Sequence, residues 1–191
     1  MTPVKILVFA GSTRTGAYSG KLAAAAAKEL ALLDAEVTLI SLGDYPLPIY
    51  DEDLRKAEGD PENAKKLARL IAAHHGVFIA TPEYNNSIPP LLKNAIDWVS
   101  VLRPEGDMKY RNRVFGIGSS SNGPVGGARA LIDLRRIVLT GLGAILIPEK
   151  IEVGLASQAF DESGTLTAEA PAKLLKGLSK HLVELAGRLV D

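Results

Sequence analysis

Val4-Lys5-Ile6-Leu7-Val8-Phe9-Ala10 runs without a break into Gly11-Ser12-Thr13-Arg14-Thr15-Gly16-Ala17-Tyr18-Ser19. The first part is a nearly continuous aliphatic run, as in a strand covered on both faces. The second is a turn crowded with hydroxyls and one arginine, and it opens an alanine-rich helical segment over residues 19–33. A buried strand, a polar turn and a helix make the first unit of a parallel α/β sheet.

Outward from that unit the same alternation repeats, with no internal repeat or low-complexity linker. Strands are expected at residues 4–10, 36–41, 77–81, 113–118 and 144–147, and helices at 19–33, 63–74, 91–102, 128–142 and 170–189. Strands separated by helices require right-handed crossovers, hence a doubly wound five-stranded parallel sheet of order 2-1-3-4-5 with helices on both faces. A chain of 191 residues fits one domain over 1–191.

In that order the winding direction switches between the first and third strands, where open α/β sheets bind ligands beyond the strands' carboxyl ends. The two loops there are residues 11–19 and Pro82-Glu83-Tyr84-Asn85-Asn86-Ser87-Ile88-Pro89-Pro90. A third wall follows the fourth strand, Ser119-Ser120-Ser121-Asn122-Gly123-Pro124-Val125-Gly126-Gly127.

Loop 11–19 combines unpaired N–H groups at a helix start, several hydroxyls and Arg14, which suits a monophosphate. Gly11 and Gly16 imitate half of a Walker A motif, but Ala17-Tyr18 stands where that motif needs Lys and Ser/Thr. A dinucleotide fingerprint fails as well, because Thr13 occupies the second glycine position. Taken alone, such a loop also reads as plain helix capping. In the second loop Tyr84 offers a ring surface, Asn85 and Asn86 offer amides, and the prolines hold the segment extended. Backbone groups presented edge-on there suit the pyrimidine side of a flat ring, although the segment alone equally reads as a rigid surface turn.

Composition narrows the function classes. With 22 basic and 22 acidic residues the net charge is zero, which points to neither a nucleic-acid footprint nor an acidic electron-carrier surface. The absence of cysteine excludes disulfides, thiolate nucleophiles and cysteine-held metals. Met1-Thr2-Pro3 leads directly into the first strand with no export signal and no membrane-length apolar run, so a cytoplasmic protein without membrane partners is expected. His74-His75 and His181 are expected as dipole-complementing or surface residues, with no metal site. Trp98 is expected in packing, and Lys93 with Asp97 as a solvated i, i+4 pair.

Three motifs give a family resemblance over nearly the whole chain. They are Gly11-Ser12-Thr13-Arg14; Pro82-Glu83-Tyr84-Asn85 followed by Leu92-Lys93-Asn94-Ala95-Ile96-Asp97-Trp98; and Gly126-Gly127-Ala128-Arg129 with Leu134-Arg135. With them the chain resembles the NADPH-dependent FMN reductases, the flavodoxin-like quinone, azo-dye and chromate reductases. The resemblance implies that Ser12, Thr13, Arg14, Tyr18 and Ser19 bind the FMN phosphate. It implies that Pro82, Glu83, Tyr84, Asn85 and Asn86 meet the ring, and that Ser120 or Ser121 reaches it from the third wall. The family commonly carries Ser and Asn where this chain has Ala17 and Ser19, so redistributed phosphate contacts are expected.

The implied activity is hydride transfer from NADPH or NADH through bound FMN to a quinone-like small-molecule acceptor, with no obligatory side-chain base. A non-enzymatic flavodoxin-like carrier is the alternative; a neutral surface argues against it. A phosphoryl enzyme lacks its Walker lysine, its thiol and an acidic cluster. A ring face left open at a sheet edge calls for a partner subunit, hence a homodimer or homotetramer, with Arg129 and Glu149 as a candidate intersubunit ion pair. By resemblance Tyr50 is expected to screen a neighbour's ring, and Arg103, Lys109, Arg111 and Arg113 are candidate contacts to a ribose phosphate.

Overall fold

A computed structural model describes residues 3–102 and 110–189. Its framework is one parallel sheet of order β2-β1-β3-β4-β5, from β1 (Lys5–Ala10), β2 (Glu36–Ser41), β3 (Gly76–Thr81), β4 (Val114–Ser120) and β5 (Ile145–Val153). The helices are α1 (Tyr18–Ala31), α2 (Glu52–Glu58), α3 (Glu62–Ala73), α4 (Pro90–Val101), α5 (Ala128–Arg136), α6 (Ala156–Ala159) and α7 (Glu169–Gly187). The topology expected from the sequence is therefore the one observed. Arg103 and Lys109 lie outside the described residues.

The period-two alternation of each central strand sorts its side chains to two cores. Leu7, Phe9, Val77, Ile79, Phe115 and Ile117 pack with the buried residues of α3, α4 and α5, such as Leu67, Ile71, Leu92, Ile96 and Leu131. Ile6, Val8, Phe78, Ala80 and Val114 pack with α1 and α7 through Leu22, Ala26, Leu30, Leu178 and Leu182. Gly118 permits that second layer to close on the sheet, because a Cβ there would stand 2.7 Å from Ile151 Cγ2 and 3.0 Å from Leu22 Cδ2.

The differences from expectation have local causes. β5 does not stop at Ile147 but continues through Pro148 to Val153, because its register against β4 shifts between Phe115 and Ile117. That irregularity on an edge strand is where a proline without an N–H is tolerated. β4 extends to include Ser119 and Ser120, both buried. The expected fifth-strand-preceding helix ends as α at Arg136 and continues as a π turn over Ile137–Gly141. α2 is a helix that was not expected from the sequence; Asp51 caps it, and none of its residues is buried.

The histidine pair is structural rather than superficial. His74 is buried, its Nδ1 2.7 Å from the Leu70 carbonyl and its Nε2 2.8 Å from Thr38 Oγ1. His75 Nδ1 accepts the Lys5 N–H at 2.9 Å, so its ring must be neutral to close that bond. Burial is the main reason the His75 pKa is lowered, followed by the nearby charge of Arg113. Trp98 is fully buried as expected, and Lys93 pairs with Asp97 at 2.7 Å.

Candidate functional site

At the carboxyl ends of β1, β3 and β4 the chain forms a cleft of about 200 Å³. Ser12, Arg14, Ala17, Tyr18 and Ser19 line it from the first loop, Pro82, Glu83 and Tyr84 from the second, and Ser120, Ser121 and Asn122 from the third. The three walls inferred from topology and loop chemistry thus meet in one place. Ala17 and Asn122 were not singled out as binding residues; both stand inside quoted loops, and position within the loop was their only signal.

The first wall is an open helix end. Ala17 occupies the N-cap position of α1 and supplies no side-chain acceptor, and among the described residues no other side chain takes the first-turn N–H groups. The loop is closed instead by Ala17 N–H donating to the Arg14 carbonyl at 3.0 Å and by Arg14 N–H donating to Ser12 Oγ at 3.3 Å. An uncapped helix start beside a guanidinium favours an anion. Thr13 is exposed and does not line the cleft; a Cβ on Gly43 would lie 3.3 Å from its Cγ2, which places Thr13 against the turn after β2.

The second wall is a tight hairpin. Tyr84 and Ser87 exchange backbone hydrogen bonds of 2.9 and 3.0 Å, and the two residues between them, Asn85 and Asn86, have φ of 49° and 64°. Asparagine tolerates this left-handed backbone better than other residues with side chains, which is a reason for the Asn-Asn pair independent of any ligand. Neither asparagine lines the cleft; both are exposed. Glu83 does line it, but its Oε2 accepts the N–H groups of Arg129 and Ala130 at 2.9 and 3.1 Å. Its carboxylate therefore closes the start of α5, whose own N-cap is Gly127. Ser87 Oγ donates to Asp133 Oδ2 at 2.6 Å, a second tie between this loop and α5. Gly127 has no side chain to cap α5, and here a carboxylate distant in sequence serves it.

The third wall is set by backbone contact. Gly126 has φ of +62°, and a Cβ there would stand 2.7 Å from Gly154 N and 2.8 Å from Val153 C, so only glycine fits. Ser119 Oγ donates to the Gly126 carbonyl at 2.7 Å, and Asn122 Oδ1 accepts the Ser157 N–H at 2.9 Å. Ser19 and Ser120 both line the cleft, and their buried Oγ atoms have no hydrogen-bond partner among the described residues. Buried polar groups are normally paired, so these two are suited to an external acceptor or donor.

Other candidates lie elsewhere. Tyr50 packs edge-on against Trp98, with ring centroids 5.0 Å apart, and its hydroxyl donates to Glu52 at 2.6 Å. Asn94 accepts the Tyr50 N–H at 2.8 Å and, with Trp98 Nε1, donates to the Pro48 carbonyl. The motif on α4 therefore straps down residues 48–50. Arg113 Nη2 donates to the Ala72 carbonyl at 2.7 Å, while Arg111 is exposed beside it in sequence. The expected Arg129–Glu149 pair finds both residues with partners within the chain, Arg129 3.8 Å from Glu83 and Glu149 2.6 Å from His181. Among the described residues no acidic or histidine cluster could hold a metal ion, and no helix is long and apolar enough to cross a membrane.

A family model described as NADPH-dependent FMN reductase matches residues 4–158, which includes all three walls. The chain belongs to this family. It is therefore an oxidoreductase whose family cofactor is FMN. Among its relatives, the quinone reductase of Escherichia coli (strain K12) is 39% identical over 137 residues, 71% of this chain and 70% of that one. NAD(P)H-dependent FMN reductase PA1204 of Pseudomonas aeruginosa is 34% identical over 175 residues, 91% of this chain and 90% of its own. In structure the reductase is similar to the flavoenzyme NAD(P)H:(acceptor) oxidoreductase FerB of Paracoccus denitrificans, with a TM-score of 0.80, 30% identity, and 97% and 98% of the two chains covered.

Proposed function

We propose that the cleft holds FMN and that the chain transfers reducing equivalents from NADPH or NADH to quinone-like acceptors. The observation that carries this reading is the unpartnered pair of buried hydroxyls, Ser19 and Ser120, in a cleft that begins at an uncapped helix start. Ser12, Arg14, Tyr18 and Ser19 would hold the phosphate, with the α1 N–H groups supplying the field that retains its charge. Pro82, Glu83 and Tyr84 would border the ring, and Ser120 and Ser121 would meet it from the third wall. Thr13 supports the first loop, and Asn85 and Asn86 shape the second. When bound, FMN supplies the hydride chemistry.

The chain's own groups then have three tasks: to hold the phosphate, to keep the ring edge fixed against a rigid loop, and to leave one face accessible. Glu83 and Ser87 serve the second task through α5. A cleft of about 200 Å³ is smaller than the roughly 300–1,000 Å³ of a pocket that encloses a ligand of this size, so part of the bound flavin would stay uncovered and reachable by a flat acceptor. The quinone class is suggested by the name of the Escherichia coli relative. A homodimer or homotetramer would complete the open side, and the compartment is the cytoplasm. Tyr50, held against Trp98 within its own subunit, would screen a neighbour's ring only from that position.

The test is an equilibrium titration of the flavin-free protein with FMN and with riboflavin, followed by quenching of flavin fluorescence. Tighter FMN binding, reduced roughly tenfold or more by Arg14→Ala while riboflavin is unaffected, supports the phosphate assignment. Equal affinities for the two flavins, or no binding, would overturn it.

A further inference from the structure

Tyr18 has ring contacts that come from outside the cleft it lines. Phe160 stacks on it with centroids 6.3 Å apart and planes inclined by 19°. Lys21 Nζ lies 5.7 Å from the same ring centroid. Phe160 is 6% exposed and belongs to a small antiparallel hairpin, residues 159–167, just beyond the residues matched by the family model.

The hairpin is closed by its own hydrogen bonds. Asp161 N–H donates to the Thr165 carbonyl at 3.0 Å, Gly164 N–H to the Asp161 carbonyl at 3.0 Å, and Thr167 N–H to the Ala159 carbonyl at 2.9 Å. Asp161 Oδ1 accepts from the Ser163 hydroxyl at 2.7 Å and from the Thr165 N–H at 2.8 Å. The turn also approaches α1 directly: a Cβ on Gly164 would stand 3.7 Å from Lys21 Cγ. A locally rigid unit thus meets the first turn of α1 at Tyr18 and at Lys21.

We propose that this hairpin is a positioning element for the phosphate end of the cleft, with Phe160 acting through Tyr18. The proposal rests on the reading of the cleft as an FMN site. The first turn of α1 has no side-chain cap, and its preceding loop is held by a few backbone bonds. The stacked ring fixes Tyr18 before the ligand arrives, and a preorganised site loses less ordering entropy on binding. Phe160 does not line the cleft, so it is a positioning residue and not a contact.

Phe160→Leu keeps the position apolar and most of its volume, and removes the stacked ring. The FMN dissociation constant is expected to rise about three- to tenfold, with that for riboflavin changing by less than about twofold. Because Phe160 acts through Tyr18, the pair Tyr18→Leu/Phe160→Leu should bind FMN no more weakly than Tyr18→Leu alone, within about twofold. Asp161→Ala opens the turn at an exposed position without touching the core, and the same FMN-selective loss is expected. Unchanged FMN affinity in Phe160→Leu and Asp161→Ala, additive losses in the double variant, or equal losses for both flavins would overturn the positioning role. If the unmutated chain itself does not prefer FMN to riboflavin, the cleft reading fails first.

Discussion

Ser19 and Ser120 each bury a hydroxyl that has no partner among the described residues, and this gives their removal different effects on folding and on binding. Ser19→Ala and Ser120→Ala should leave the flavin-free unfolding midpoint unchanged or slightly raised, since an unsatisfied buried group is lost. Each should weaken FMN binding roughly tenfold. A fall in flavin-free stability with unchanged FMN affinity would show that the hydroxyls serve the fold. His75 gives a pH prediction. Its folded pKa lies below its unfolded value, so its contribution is fully present above the unfolded pKa of about 6.5 and is lost as pH falls through the folded value. Replacing it by asparagine should flatten the acid limb of denaturation midpoint against pH below about 6.5 relative to the unmutated chain. Parallel limbs would contradict that assignment.

At the scale of elements, α4 shows how a conspicuous motif can serve structure. Asn94 and Trp98 bind the backbone of residues 48–50, so Asn94→Ala removes two hydrogen bonds to that strap. A stability loss of about 1–3 kcal/mol by chemical denaturation is expected, with FMN affinity within about twofold of the unmutated value. A large loss of FMN affinity at unchanged stability would instead place this motif in flavin binding. The strands were legible because β1, β3 and β4 are buried on both faces and therefore read as continuous apolar runs. β5 was legible only to Ile147, since Pro148 signals an end unless the shifted pairing with β4 is known. α2 left no apolar period because it buries no residue. The cleft walls were legible as loops, but individual roles were not: Glu83, Asn85 and Asn86 are explained by a helix start and a turn made by residues distant or adjacent in sequence.

On the scale of the whole molecule, zero net charge and an open cleft at the sheet's switch point describe a protein that meets small molecules. The topology gathers three polar loops at one end of the sheet, between the apolar layers packed on its two faces. A cleft that held one edge of a flavin and left a ring face open would suit successive visits by a nicotinamide donor and a flat acceptor. The most direct test is a double-mixing stopped-flow experiment without oxygen, in which the FMN-loaded protein meets NADPH or NADH and then benzoquinone while visible flavin absorbance is followed. Rapid bleaching with at least one nucleotide and rapid return of the yellow colour on adding the quinone are expected. Flavin that remains yellow with both nucleotides, or that bleaches and is not reoxidised by the quinone, would contradict the proposed function.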